Sequence, residues 1–441
     1  MERIEALIPA FATAVANEPV LLYEDQLTVE LQNQSLTAKG LVFFDWLPTP
    51  TIKFKVTDLQ HGTLLSPTTE RATLLLRDGT PINECLVTGI QLGGEREEIS
   101  GVINECVHVG ANIEVAEARF VVSNIPVILG SAIAFPDGSL HRGRLRLQAQ
   151  GWNIMLDPVY NHRNLVKDIK ACSGYGITYS GSISREDGSL FNAADSEDFI
   201  DAFSLYSSFA LGRWVAALFL QGVDSSGHVA WQRWTNRRIE PYRNRESWLE
   251  LQFSSIYQDP FSGFSALWAD PDWREAISIA ICWYLSANAL SGDIEGAIVQ
   301  TQTAFELLSS VVLVEMNALL SSNQYNNSHN AASRMHMLLG WARIPTSIPS
   351  SLTNLSSRAN TEGWSDTPTA MTAIRNAITH PTRRNRLRFA ANSIETRIET
   401  WRLGLWSLEL CILRLLDYNG VYANRLTQRR PGQTETVPWA I

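Results

Sequence analysis

The residue types best placed to do chemistry in this chain are Arg375, Asn376 and His380, which fall in the stretch TPTAMTAIRNAITH. Thr367 and Pro368 make an N-cap and first-turn pair, and Pro381 follows His380, so the stretch predicts one helix over residues 367–380. With about 100° of rotation per residue, Met371, Ile374 and Ile378 form one apolar stripe. Thr372, Arg375, Asn376, Thr379 and His380 share an opposite arc of about 140°. Asn376 and His380 are one turn apart and can face a common ligand, and the long Arg375 side chain reaches across the same arc, with Thr379 in support.

An arginine and a histidine on one face suit cleavage of RNA without a metal, because the ribose supplies its own nucleophile in the 2′-hydroxyl. Histidine exchanges a proton near neutral pH, so His380 can take or return that proton, while Arg375 neutralises charge developing on the phosphorane. Asn376 orients His380 or the phosphate. The expected products are a 2′,3′-cyclic phosphate and a 5′-hydroxyl. Arg383, Arg384, Arg386 and Arg388 follow the helix and can draw an RNA backbone toward it by phosphate attraction.

By spacing alone the Arg–His pattern is weak, and its bland reading is a solvated helix face. Its setting gives it weight. Residues 371–441 hold eleven Arg against five acids, so they carry +6 while the rest of the chain carries −15 of the net −9. No Lys occurs after Lys170, which makes every formal cation in that stretch an arginine, able to grip phosphate in a bidentate fork.

The elements that must position these groups change texture along the 441 residues, too many for one ordinary core. Residues 20–158 are short apolar or alternating runs, such as LTVELQ, GLVFFDW and TIKFKV, broken by turn residues, which predicts antiparallel sheet in a sandwich or open barrel. Residues 161–248 are mixed: the strand-like YGITYSGSI, a helix over 198–209, and a hairpin around Asp224-Ser225-Ser226-Gly227. Trp214, Trp231, Trp234 and Trp248 punctuate this part and read as core rather than as a ligand cage. After about residue 260, long segments with helical periodicity, among them WREAISIAICWYLSANAL and SIETRIETWRLGLWSLELCILRLLDY, predict an all-α bundle, with the polar SNQYNNSHN among the breakers between its helices. The fold class is therefore α+β and multidomain: 1–160 β-rich, 161–255 mixed α/β and part of a sensing region, 256–425 helical, and 426–441 a loose tail.

The hydrophobic share of 45% against 18% charged residues is that of a globular chain. Cys85, Cys106, Cys172, Cys282 and Cys411 are scattered with no C-x-x-C pair, which points to a reducing cytoplasm and to neither a zinc site nor a disulfide framework. The opening ALIPAFATAVA lacks the basic flank of a secretion leader. The longest apolar runs, near 277–290 and 305–320, are interrupted by Asn288, Glu306 and Glu315, so they read as buried helices and no membrane is expected. His329 and His336, near Arg334, have no metal-ligand companions, and His141 beside Arg142 and Arg144 reads as a surface turn. No P-loop, Rossmann fingerprint, G-x-S-x-G or H-E-x-x-H occurs, and neither a cofactor nor a metal is expected.

The motif RNAITH followed by Pro381, the preceding long helix with AFELLSSVVL, the intervening MLLGWARIP and the closing apolar helix over 394–418 together resemble the HEPN superfamily, in its Apea-like branch of prokaryotic defence proteins. The resemblance covers roughly residues 271–418. It implies a metal-independent endoribonuclease that acts as a homodimer, or a higher symmetric assembly of such dimers, with paired R-x-x-x-x-H motifs across a two-fold axis. Arg375, Asn376 and His380 carry over as catalytic residues, and Glu306 matches an acidic position often seen on the second helix. The amino-terminal region is then expected to sense a phage or cellular trigger in an antiviral or toxin-like system. A non-catalytic HEPN module that binds nucleotide or RNA, or acts as an adaptor, is the alternative. A third reading is a carbohydrate-binding β protein with a helical dimerisation domain.

Overall fold

The structure, a computed structural model, describes residues 4–31, 34–60, 71–91, 96–290, 292–380, 382–428 and 430–440. It divides into two compact units: Met1–Ser204 with Val215–Arg243, and Leu205–Trp214 with Asn244–Ile441. The architecture is α+β, with the β-rich part first and the helical part after it.

In the first unit, strands β1 (Val20–Leu31), β2 (Gln34–Asp45), β3 (Thr51–Gln60), β4 (Arg71–Leu76), β5 (Pro81–Gln91) and β6 (Arg96–Ile103) form a closed barrel in the order β1-β2-β3-β6-β5-β4. This corrects the expectation of a sandwich or open barrel. Closure comes from pairing between strands distant in sequence, Leu27↔Leu76 to Glu30↔Thr73 in β1 and β4 and Ile52↔Ile103 onward in β3 and β6. Alternation does the rest, because Leu27, Val29, Val42, Phe44, Ile52, Phe54, Val56, Leu74 and Ile99 turn inward and are buried. The interior is crowded enough that a Cβ at Gly101 would lie 2.1 Å from the Leu86 carbonyl oxygen and 2.5 Å from the Phe54 ring, so that position must stay bare.

The next strands, β7 (Val107–Gly110), β8 (Glu117–Ser123), β9 (Ser131–Ala134), β10 (Leu140–Ala149), β11 (Trp152–Pro158), β12 (Ile177–Arg185), β13 (Ala217–Val223) and β14 (Val229–Trp234), build one eight-stranded sheet ordered β7-β14-β13-β8-β12-β11-β10-β9. Strands from both sides of residue 160 are hydrogen-bonded within it, so the β-rich and mixed segments are knit together. Helix α1 (His162–Cys172) has no counterpart in the sequence reading, whereas α2 (Ala193–Leu211) and the β13–β14 hairpin, with Gly227 at φ 84°, lie where it placed them. Trp231, Trp234 and Trp248 are core side chains.

The second unit is built from α3 (Ser254–Gln258), α4 (Phe261–Ala269), α5 (Pro271–Ala289), α6 (Ile294–Ser310), a π-helical turn at Val311–Met316, α7 (Ser322–Ser328), α8 (Ala331–Trp341), α9 (Thr353–Glu362), α10 (Thr367–Thr379), α11 (Arg383–Ala390) and α12 (Ile394–Leu415). Helix α6 packs on α5, α8, α10 and α12. With its π turn it spans Ile294–Met316, long and apolar enough to cross a membrane, yet 61% of its most apolar 18-residue stretch is buried in the fold, so it serves as the bundle's core helix. The polar SNQYNNS, read as a breaker, forms α7 because Ser321 and Gln324 make a reciprocal capping box and Tyr325 anchors it.

Residues 426–441, read as a loose tail, include β16 (Glu435–Thr436), which pairs with β15 (Val421–Tyr422) in a short hairpin, and they bury Val437 and Trp439. Just ahead of them Arg425 enters the interior. It pairs with Glu409 of α12 through Nε and Oε2 at 2.9 Å, and both side chains are 1% exposed. The Tyr284 hydroxyl donates to Glu409 Oε1 at 2.6 Å, and Arg425 also donates to Asn288 Oδ1 and the Glu246 carbonyl.

Candidate active site

Helix α10 begins at Thr367 as its sequence suggests, but its cap lies one residue before the expected Thr367. Asp366 is the N-cap, its carboxylate accepting from the Thr369 N–H at 2.9 Å, with Pro368 in the first turn. The same carboxylate also meets Nδ1 of His336 at 3.3 Å, which ties α10 to α8. Ala370, Met371, Ile374 and Ala377 are buried and set the rotation of the helix. His380 stands at the C-cap in extended backbone conformation, its N–H donating to the Asn376 carbonyl at 3.0 Å. Pro381 lies outside the described residues.

Three of the expected site residues come together. The Arg375 guanidinium bonds Glu306 of α6 through Nη2 and donates from Nη1 to Asn376 Oδ1 at 3.1 Å. The Arg375 side chain is 19% exposed and that of Glu306 39%, so the pair lies at the rim of the bundle, open on one side. His380 is exposed one turn beyond Asn376. The Glu306 carbonyl is held in turn by the Tyr325 hydroxyl at 3.1 Å, and that hydroxyl also bonds Ser309 Oγ at 2.7 Å. Arg334 stacks 4.2 Å from the centre of the Tyr325 ring.

Other members of the expected set are placed differently. Thr379 donates to the carbonyl of Arg375 at 3.1 Å, a bond back onto its own helix. Thr372, expected on the polar arc, is buried with its hydroxyl unpartnered. Arg388, expected to guide RNA, is paired through Nε with Glu362 at 3.0 Å, and Glu362 also takes Arg358 at 2.9 Å. Arg383, Arg384 and Arg386 lie on α11, a helix with no buried residue, and Asn385 from its first turn donates to the Asn376 carbonyl at 3.4 Å. Gln302, one turn before Glu306 on α6, is 1% exposed and not among the expected site residues. Its spacing from Glu306 was the available signal. Among the described residues no group of three or more His, Cys, Asp or Glu side chains is gathered as metal ligands would be.

Comparison with known proteins gives two family matches, to the YopA central domain over residues 110–245 and to the YopA C-terminal domain over residues 270–436. The chain is also 30% identical over 450 residues to the SPbeta prophage-derived uncharacterized protein YopA of Bacillus subtilis (strain 168), covering 100% of this chain and 99% of that relative. The chain belongs to the YopA family. No solved structure matches it. Glu306, Arg375, Asn376 and His380 all fall in the YopA C-terminal domain, and the eight-stranded sheet is largely the YopA central domain. The barrel strands, which end at Ile103, precede both matches.

Proposed function

We propose that this YopA-family chain is a metal-independent endoribonuclease of HEPN type, cutting RNA through attack of the ribose 2′-hydroxyl. The observation that carries the reading is the convergence of Arg375 with Asn376 and Glu306 at an open rim, with His380 exposed one turn further along the same helix. In this reading His380 takes the 2′-hydroxyl proton, Arg375 stabilises the charge on the phosphorane, and Asn376 orients the phosphate. Arg383, Arg384 and Arg386 supply phosphate attraction along the adjoining α11. One motif holds a single His380, whereas cleavage uses both a base and an acid, so the active species is a homodimer that brings two motifs to one cleft.

The relative's prophage origin fits an effector carried on a mobile phage element, with the β-rich region binding a phage or cellular trigger. Sequencing RNA 5′-hydroxyl and cyclic-phosphate ends after induced expression tests this. New ends in wild type that vanish in His380→Ala support it, and identical ends in both refute it. One observation favours the non-catalytic alternative: the Arg375 charge is already matched by Glu306. RNA binding without any cleavage by the purified dimer would establish that alternative.

A further inference from the structure

Beneath the Arg375–Glu306 pair lies a layer of polar groups, Gln302 and Thr372, that no described residue satisfies. Gln302 precedes Glu306 by one turn of α6, so the two share a helix face. Thr372 precedes Arg375 by three residues on α10 and shares its face likewise. The two helices advance in the same sense at this point: one turn before the ion pair, a Cβ at Gly404 of α12 would lie 2.8 Å from Met371 Cε and 3.0 Å from Thr301 Cγ2. Gln302 and Thr372, the next residues along, therefore belong to one layer just inside the pair. Gln302 is 1% exposed, and among the described residues neither its amide oxygen nor its amide nitrogen has a hydrogen-bond partner; the Thr372 hydroxyl has none either.

A buried amide with both ends unmet is costly, and such a cost next to a reactive pair marks a group waiting for a partner. Glu306 is an acceptor within reach by helix geometry, since side chains four apart on a helix can hydrogen-bond. We propose that Glu306 is a two-position latch on Arg375: it sits on the guanidinium in the unliganded site and turns to the Gln302 amide when an RNA phosphodiester takes the guanidinium. The inference rests on the RNA reading of the site given above. The exchange keeps the Arg375 charge paired at each step. The phosphate replaces the carboxylate on Arg375, and the released carboxylate gains an N–H donor instead of facing the anionic substrate unpaired. Gln302 is thus a positioning residue, and Glu306 holds down phosphate affinity until a substrate with enough backbone contacts displaces it.

The test uses the full chain. Binding of a fluorescent RNA oligonucleotide is measured in a His380→Ala background, which prevents turnover, alone and with Glu306→Gln or Gln302→Met added. Modification of Arg375 by phenylglyoxal, followed by peptide mass spectrometry, is measured without RNA. The latch requires Glu306→Gln to bind RNA at least about threefold tighter and to speed Arg375 modification by a similar factor. It requires Gln302→Met to bind RNA at least about threefold weaker while melting no lower than its parent, because an unsatisfied amide has been removed. Weaker RNA binding by Glu306→Gln, or unchanged affinity in Gln302→Met, overturns it. Absence of RNA binding by the parent refutes the RNA reading itself and the ligand half of the latch; an unchanged Arg375 modification rate in Glu306→Gln refutes the latch independently of RNA.

Discussion

Replacing Glu409 with glutamine leaves the shape of the helical unit's interior intact and removes one charge. Glu409 and Arg425 are each 1% exposed, so water does not screen the loss. The oxygen of the introduced amide can still accept from the Tyr284 hydroxyl, which keeps the tyrosine satisfied and leaves an uncompensated guanidinium as the main penalty. Breaking a buried pair in this way costs about 3–5 kcal/mol. Arg425 retains its bonds to Asn288 and the Glu246 carbonyl, which places the expected loss toward the lower part of that range. For a unit of roughly 200 residues, a loss of about 3–5 kcal/mol corresponds to a drop in melting temperature of about 6–20 °C. Calorimetry and urea titration of the full chain read it directly. The double replacement Glu409→Leu with Arg425→Met removes both charges and is expected to recover at least about half of the loss. A Glu409→Gln protein melting within about 2 °C of wild type, or a double variant as unstable as the summed singles, would refute the reasoning.

Arg375→Ala and His380→Ala are each expected to abolish RNA cleavage while shifting stability by less than about 1 kcal/mol, since both side chains stand at or outside the rim; folded variants that cut at the wild-type rate end the proposal. EDTA is expected to leave cleavage unchanged, because the 2′-hydroxyl route needs no metal-activated water, and loss of activity restored by magnesium would refute that route. Light scattering is expected to find a dimer at assay concentration, and a fully active monomer would count against a shared cleft. Burial pushes His162 down to about 4 from the usual 6.5, so the unfolded chain takes up a proton first as pH falls. Stability is therefore full above about pH 6.5 and declines by up to about 3 kcal/mol toward pH 4. Urea titrations across that window check it, and a His162→Gln variant with the same pH slope would show that the loss arises elsewhere.

The alternation of LTVELQ, GLVFFDW and TIKFKV made the barrel strands legible, because Leu27 and Val29, Val42 and Phe44, and Ile52, Phe54 and Val56 are buried while the residues between them are not. Closure was not legible, since β1 meets β4 across an interval of chain with no local sign of the pairing. Strand β6 carries no such signal because Arg96, Glu97 and Glu98 open it, although Glu97 is itself 3% exposed. Helices α9 and α11 were missed for a related reason: both are polar along most of their length, and α11 buries nothing. In the site, the polar arc of α10 predicted Arg375 and Asn376 at a common face, and the two are hydrogen-bonded to each other there. It misjudged Thr372, because 3.6-residue periodicity gives the direction of a side chain and not the reach of the neighbouring helix. Gln302 carries little signal because an amide inside the polar run Gln300-Thr301-Gln302-Thr303 ordinarily marks a solvent-facing position.

The central place of β8 in the eight-stranded sheet bears on how the chain is made. Its neighbours β12 and β13 are encoded later, and β13 ends at Val223, about 100 residues after β8 ends at Ser123. At a synthesis rate of about 5–20 residues per second, both edges of β8 wait unpaired for several seconds after they leave the ribosome. Over that interval FVVS and its flanks are an open template for any other strand. Truncation at residue 160 makes the wait permanent, so such a fragment is expected to aggregate, whereas a chain ending beyond β14 can complete its sheet.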